Sequence, residues 1–379
     1  MITPFKIDVK EDVIQDLHER LDKTRWPDQV GENWQYGSDL GYMKSLCHYW
    51  RHEYDWRLQE KNLNRFDQFT TTIDDRRFHF IHQRSKHKDA LPLLITHGWP
   101  GSFTEFQKII DPLTDPENHG GKASDAFHVI CPSIPGYGFS EAPSTPGFDQ
   151  KSAAECNIQL MQQLGYDKYG VQGGDWGSAI SSWSAILAPE QICGLHLTLI
   201  FAGYPSSKRD PMEGVTDQEQ TRLAERKDAM KEGTGYQQIQ GTKPQTLGYG
   251  LHDSPSGLAA WITEKFHSWT DCDGSIENSI SKDELLTNIM IYWVTGTITS
   301  STRLYFESRH TDNKMEGKIE TPTGCAIFPG ELYIPPRAWA EEMYNIQHWS
   351  TMEKGGHFAA MEQPELLVED LREFFGKLR

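Results

Sequence analysis

Residues 168–178, KYGVQGGDWGS, constrain the fold more than any other stretch of the chain. A short apolar run enters glycines and then a helix-compatible segment, so a strand must end and a helix begin within a few residues. Gly173-Gly174-Asp175-Trp176-Gly177 has the form of a nucleophile elbow, a strained strand-to-helix turn that exposes one side chain. Small residues flank such a turn because a Cβ would collide with neighbouring backbone. A glycine-rich turn with an aspartate is also an ordinary loop. The strand before it and the helix after it favour the functional reading.

The same strand-to-loop form recurs at 91–97 (LPLLITH), 127–136 (FHVICPSIPG), 325–332 (CAIFPGEL) and 346–358 (IQHWSTMEKGGHF). A final helix from about Pro364 carries Leu366, Leu367, Leu371 and Phe374 on one face. Alternating strands and helices predict an α/β fold with a mostly parallel sheet covered on both sides, whose sites lie at the C-terminal strand ends. Residues 1–65 read as a helical extension, with Val13, Ile14, Leu17 and Leu21 at helix spacing and a second helical piece at 42–58. Residues 66–72 and 78–81 alternate with period two around a turn at Asp74 and Asp75. Between 205 and 315 the strand signal vanishes, and polar helical sequence is followed by Trp261, Trp269 and Trp293. The expected organisation is an N-terminal extension (1–65), a core in two parts (66–204 and 316–379) and an inserted helical lid (205–315).

An elbow aspartate sets the reaction class. A carboxylate attacks saturated carbon, displaces a leaving group and forms an ester on the enzyme, which water must then cleave. His357, in Gly355-Gly356-His357-Phe358, follows the last strand, where the chain order nucleophile, acid, histidine needs its base. It is the one histidine of 15 with that placement. Glu331, after the preceding strand, is the expected partner that holds the imidazole; Glu341 and Glu342 compete by number but fall on the following helix. The loop His97-Gly98-Trp99-Pro100-Gly101-Ser102 is the expected oxyanion hole, with the Trp99 amide joined by that of Trp176. His97 is expected to be structural.

The net charge of −17 disfavours nucleic acid and anionic membrane surfaces as partners and suits neutral or cationic small molecules. Six cysteines are scattered without a CxxC, which predicts reduced thiols in a cytoplasmic protein. The N-terminus mixes charges into every turn, and no apolar run approaches 18 residues, so neither a membrane anchor nor a span is expected.

HGWPGS (97–102), PGYGFS (135–140), GGDWGS (173–178) and GGHF (355–358), in this order, resemble the α/β-hydrolase-fold epoxide hydrolases. With Thr24-Arg25-Trp26-Pro27, the N-terminal stretch is similar to that of the microsomal-type branch, which includes juvenile-hormone epoxide hydrolases and soluble fungal and bacterial relatives. In the lid, Thr234-Gly235-Tyr236-Gln237-Gln238-Ile239-Gln240 and the segment from Tyr292 to Arg303-Leu304-Tyr305 resemble the two tyrosine segments of that branch. The resemblance covers essentially the whole chain and implies conversion of a small-molecule epoxide to a vicinal diol with no cofactor and no metal. It implies Tyr236 and Tyr305 as donors to the epoxide oxygen, a role a phenol with pKa near 10 can fill while protonated at neutral pH. Glu at 331, where many epoxide hydrolases have Asp, matches the microsomal and juvenile-hormone members.

A haloalkane dehalogenase shares the elbow Asp-Trp, but there indole donors would serve a departing halide better than paired phenols. A serine esterase would need Ser178, which lies three positions beyond Asp175, inside the helix. A non-catalytic binding protein of this fold would be expected to lack a catalytic member. His48 and His52 have helical spacing but no third ligand, His79 and His82 point to opposite faces of a strand, and Gly136-Tyr137-Gly138 lacks the rest of a dinucleotide fingerprint. The N-terminal stretch could wrap a neighbouring copy in a homodimer or its own core.

Overall fold

A computed structural model describes residues 1–31, 33–204 and 210–379, without the side chains of 228 and 229. Among the described residues nine strands form one sheet: β1 (Thr3–Phe5), β2 (Gln68–Ile73), β3 (Arg76–Gln83), β4 (Leu91–Thr96), β5 (Phe127–Pro132), β6 (Tyr169–Gly173), β7 (Ile192–Leu197), β8 (Ile319–Ile327) and β9 (Tyr344–Thr351). Their order is β1-β2-β3-β5-β4-β6-β7-β8-β9. From β5 onward neighbours are parallel, and β1, β2 and β3 add an antiparallel edge. The β2–β3 turn has Asp74 at φ 49° and Asp75 at φ 61°, the left-handed pair that a two-residue hairpin requires.

Both faces of the central parallel strands β4, β5 and β6 are largely buried, which is why they read as apolar runs. Leu93 and Ile95 of β4 face one core cluster and Leu94 the other; Val129 and Ile130 of β5 divide in the same way. The first cluster takes Ile109, Ile110, Leu371 and Phe374, and the second takes Cys156, Leu160 and Met161 from the helix Gln150–Gln163.

Two local readings need correction, and one strand was not foreseen. The extension is not wholly helical, because Thr3–Phe5 pairs antiparallel with β2; three residues around Pro4 are too short to show period two. The helical piece at 42–58 is two helices, Leu40–His52 and Trp56–Leu63, and Asp55 caps the second by accepting from the Leu58 amide at 3.1 Å. β7 gave no separate sequence signal because Gly194 and His196 interrupt its apolar pattern; His196 is buried there by pairing with Asp370 at 2.8 Å.

Between β7 and β8 the described elements are helices, among them Asp217–Gly233, Gly235–Gln240, Pro255–Trp269, Lys282–Thr295 and Ile298–His310. The first residues assigned to the lid, 205–209, lie outside the described residues. The N-terminal helices lie against this segment of their own chain. Arg20 pairs with Asp253 at 2.7 Å, Ser38 donates to the Ala260 carbonyl at 2.7 Å, and the Tyr49 hydroxyl donates to Asp283 at 2.9 Å. Among the described residues no helix is long and apolar enough to cross a membrane. All six cysteines are free thiols.

Candidate active site

The C-terminal ends of β4, β6, β8 and β9 deliver Trp99, Asp175, Glu331 and His357. Asp175 stands at φ 47°, left-handed backbone that a non-glycine residue adopts only when its surroundings hold it there. The packing around it requires glycines. A Cβ on Gly173 would lie 2.1 Å from the Gly177 carbonyl oxygen, and one on Gly177 would lie 1.8 Å from that of Thr96. Asp175 then opens the helix Asp175–Leu187, so the Trp176 amide is among the N-terminal donors that the helix itself leaves unpaired.

The Trp99 amide donates to Asp175 Oδ1 at 2.8 Å, while Oδ2 lies 3.5 Å from His357 Nε2. The other nitrogen of that ring, Nδ1, is 2.7 Å from Glu331 Oε1. Gly330 N–H donates to the Gly355 carbonyl at 2.9 Å, which ties the two loops side by side. Burial opposes charge on His357, but the Glu331 carboxylate, then Asp175, lift its pKa well above the ordinary histidine value. Once Asp175 is esterified its charge is gone, and part of that lift goes with it.

The His357 loop is held by residues that carry no obvious sequence signal. Glu362 accepts from the amides of Gly356 at 3.0 Å, Phe358 at 2.9 Å and Asp271 at 2.7 Å. The Trp269 carbonyl accepts from His357 N–H at 2.9 Å. Glu105, near Asp175 and His357, is a further residue missed, since its spacing resembles that of any helix-start glutamate.

Tyr236 and Tyr305 are both buried over the elbow. Tyr236 stacks on Trp99 at 5.4 Å, and Tyr305 stands edge-on to Tyr236 at 5.8 Å and to Trp176 at 4.7 Å. Gln237 Nε2 donates to the Tyr236 hydroxyl at 2.9 Å. Burial raises both phenols above their usual range, and the charge of Asp175 raises them further, so both stay protonated at neutral pH. The Tyr305 helix is anchored to the core by Tyr137, whose hydroxyl donates to the Ser301 carbonyl at 3.0 Å. The helix Lys282–Thr295 is tied to the Trp99 loop by Asn288 donating to the Pro100 carbonyl at 2.7 Å and Tyr292 to that of Gly101 at 2.6 Å.

The remaining candidates take other places. His97 Nε2 accepts from the Ile134 amide at 3.2 Å, so Nδ1 carries the proton and donates to the Gly98 carbonyl at 3.0 Å. Burial lowers its pKa to about 4, which keeps it neutral. Ser178 is buried and donates to the Gly173 carbonyl at 2.7 Å. Glu341, on the helix Arg337–Met343, pairs with Arg337 at 2.7 Å. His48 and His52 lie ring against ring at 4.5 Å, and among the described residues no group of three metal-ligating side chains comes together.

The chain matches the family described as epoxide hydrolase N terminus over residues 2–106 and that described as alpha/beta hydrolase fold over 92–233. It is 47% identical to a putative epoxide hydrolase of Stigmatella aurantiaca over 382 residues, covering 100% of this chain and 86% of the relative. It is 44% identical to epoxide hydrolase 1 of Sus scrofa over 407 residues, covering 100% and 89%. The crystal structure of juvenile hormone epoxide hydrolase from Bombyx mori superposes with a TM-score of 0.92 at 36% identity, covering 100% of this chain and 95% of that one. The resemblance read from the motifs is borne out.

Proposed function

Because the chain belongs to the epoxide hydrolase family of the α/β-hydrolase fold, we propose that its epoxide is opened by Asp175 and the resulting ester is cleaved by water under His357. The enzyme is an epoxide hydrolase; the roles of individual residues are the proposal. The observation that carries them is the division of labour at one carboxylate, with Oδ1 on the Trp99 amide and Oδ2 towards His357 Nε2.

In the first step Asp175 Oδ2 attacks an epoxide carbon while Tyr236 and Tyr305 donate to the ring oxygen. Such donation contributes about 10²–10⁴-fold in rate. Oδ1 becomes the ester carbonyl oxygen, already on its donor. In the second step His357, oriented by Glu331, takes a proton from water, which attacks Cγ. Charge then gathers on Oδ1, and the Trp99 and Trp176 amides hold it, each worth about 3–4 kcal/mol. The segment 205–315 acts as a lid over the elbow, supported by the burial of Tyr236 and Tyr305 among its described helices and by their ring contacts with Trp99 and Trp176. A cytoplasmic setting belongs to the same proposal and is supported by the free thiols.

A single turnover in heavy-oxygen water tests the covalent route. Heavy oxygen is expected in Asp175 and not in the first-turnover diol; heavy oxygen in that diol overturns the route. A panel of epoxides and haloalkanes assayed together separates ring opening from dehalogenation.

A further inference from the structure

Glu105 sits in the short 3-10 helix Phe103–Phe106 that follows the Trp99 loop. Its Oε1 is shut off from solvent and makes no well-formed hydrogen bond among the described residues, although the Gly98 and Ser102 amides reach the carboxyl closely enough to favour its charge. Leaving a buried acceptor unpaired costs about 1–3 kcal/mol, so its retention calls for a cause. The carboxyl end lies directly against Gly101, where a Cβ would stand 1.5 Å from Oε1. Glu105 lines a cavity of about 20 Å³ together with Gly98, Trp99, Gln172, Asp175 and His357. That is room for about one water. The Gln172 Oε1 is likewise buried and unpaired among the described residues, so the cavity offers a small hydrogen-bond donor more than one polar wall. Glu105 shares the wall of this cavity with Asp175 and His357, which places it beside the reacting groups, and the charges of both bear on it.

We propose that this cavity seats the hydrolytic water and that Glu105 aims it. One water O–H points to His357 Nε2 and the other to Glu105 Oε1, which turns an oxygen lone pair towards Cγ of the esterified Asp175. The water oxygen bonds to Cγ, its proton passes to Nε2, and the carbonyl electron pair moves to Oδ1. On collapse the Cγ–Oδ2 bond breaks and the departing diol oxygen takes the proton from His357. Glu105 ends each cycle with the protons it began with. Burial pushes its pKa up to about 8, His357 pulling it down and Asp175 pushing it up; either protonation state leaves an acceptor oxygen.

The inference rests on the roles of Asp175 and His357 proposed above, and rapid-quench kinetics with intact-mass detection of the ester tests it. Glu105→Leu is expected to slow ester hydrolysis about tenfold or more while alkylation stays within about threefold, so that the adduct accumulates and kcat and KM fall together. Glu105→Gln keeps an acceptor oxygen and loses less. Gly101→Ala retains the carboxyl but displaces it, and is expected to accumulate the adduct as well. It carries the test should Glu105→Leu not fold. Equal slowing of both steps, or ester hydrolysis at the wild-type rate in both Glu105→Leu and Gly101→Ala, overturns the role of Glu105. If His357→Gln forms no adduct either, the covalent reading falls first. If His357→Gln accumulates the ester and the Glu105 and Gly101 variants clear it normally, only the role of Glu105 falls.

Discussion

Gly98 packs so closely on Asp175 that a Cβ at position 98 would lie 2.3 Å from both the Cβ and Oδ1 of the aspartate. Gly98→Ala must therefore displace either the carboxylate or the loop bearing the Trp99 amide. The expected outcome is a folded protein with kcat lowered about 100-fold or more, since a displacement near 1 Å costs about that much. A circular-dichroism melt alongside the alkylation rate checks both halves, and an active Gly98→Ala enzyme contradicts the geometry.

Removing the lid phenols should act on ring opening alone. Tyr236→Phe and Tyr305→Phe are each expected to slow alkylation about 10-fold or more, and the double variant to abolish it. Decay of ester already formed should be nearly unchanged, because that step leaves its charge on the Trp99 and Trp176 side. Near-normal alkylation in the double variant would mean that another acid serves.

Glu362 holds three amides around the histidine loop. Glu362→Leu strands the buried Gly356 and Phe358 amides at about 1–3 kcal/mol each and deprives the part-buried Asp271 amide of its acceptor. Expected are a clear fall in unfolding free energy, measured with urea, and a slower ester-hydrolysis step as His357 loses its fixed position. A stable variant with normal hydrolysis would show that the loop holds itself.

Asp370 is buried between His196 and His348, each at 2.8 Å, and accepts from Ser350. Burial opposes its charge, but the hydrogen bond and charge of His196, with Ser350 and His348, hold its pKa at about 2. A depressed folded-state value stabilises the fold above the unfolded value, and the gain disappears as pH falls towards about 2. The contribution should be roughly 2 kcal/mol near pH 6 and fade between about pH 4 and 2. Urea unfolding of wild type and Asp370→Asn across that range checks it: the gap between them should narrow with acid, and a constant gap contradicts the linkage.

The elbow was legible because its requirement is local and steric: small residues at fixed offsets around one side chain, between a strand and a helix. Glu331 and His357 were legible for a related reason, each beside glycines where an apolar run ends. Tyr236 and Tyr305 came only through resemblance, since nothing local separates them from the other tyrosines among 14. Glu105 and Glu362 stand out through burial and through neighbours that the fold brings up from far along the chain, Asp175 and His357 beside Glu105 and Asp271 beside Glu362, which no spacing records. β7 escaped notice because its His196 is paid for by Asp370 on the last helix, a compensation 174 positions away.

The contacts from Arg20, Ser38 and Tyr49 to the lid have an evolutionary consequence. The lid joins the sheet through two chain crossings between adjacent strands, which would make it a convenient cassette for recombination. Its outer partners, however, are encoded near the beginning of the same sequence. A lid inherited without a matching first 65 residues would lose those three partners, so new substrate preferences are expected to spread through this lineage as a pair of co-travelling segments.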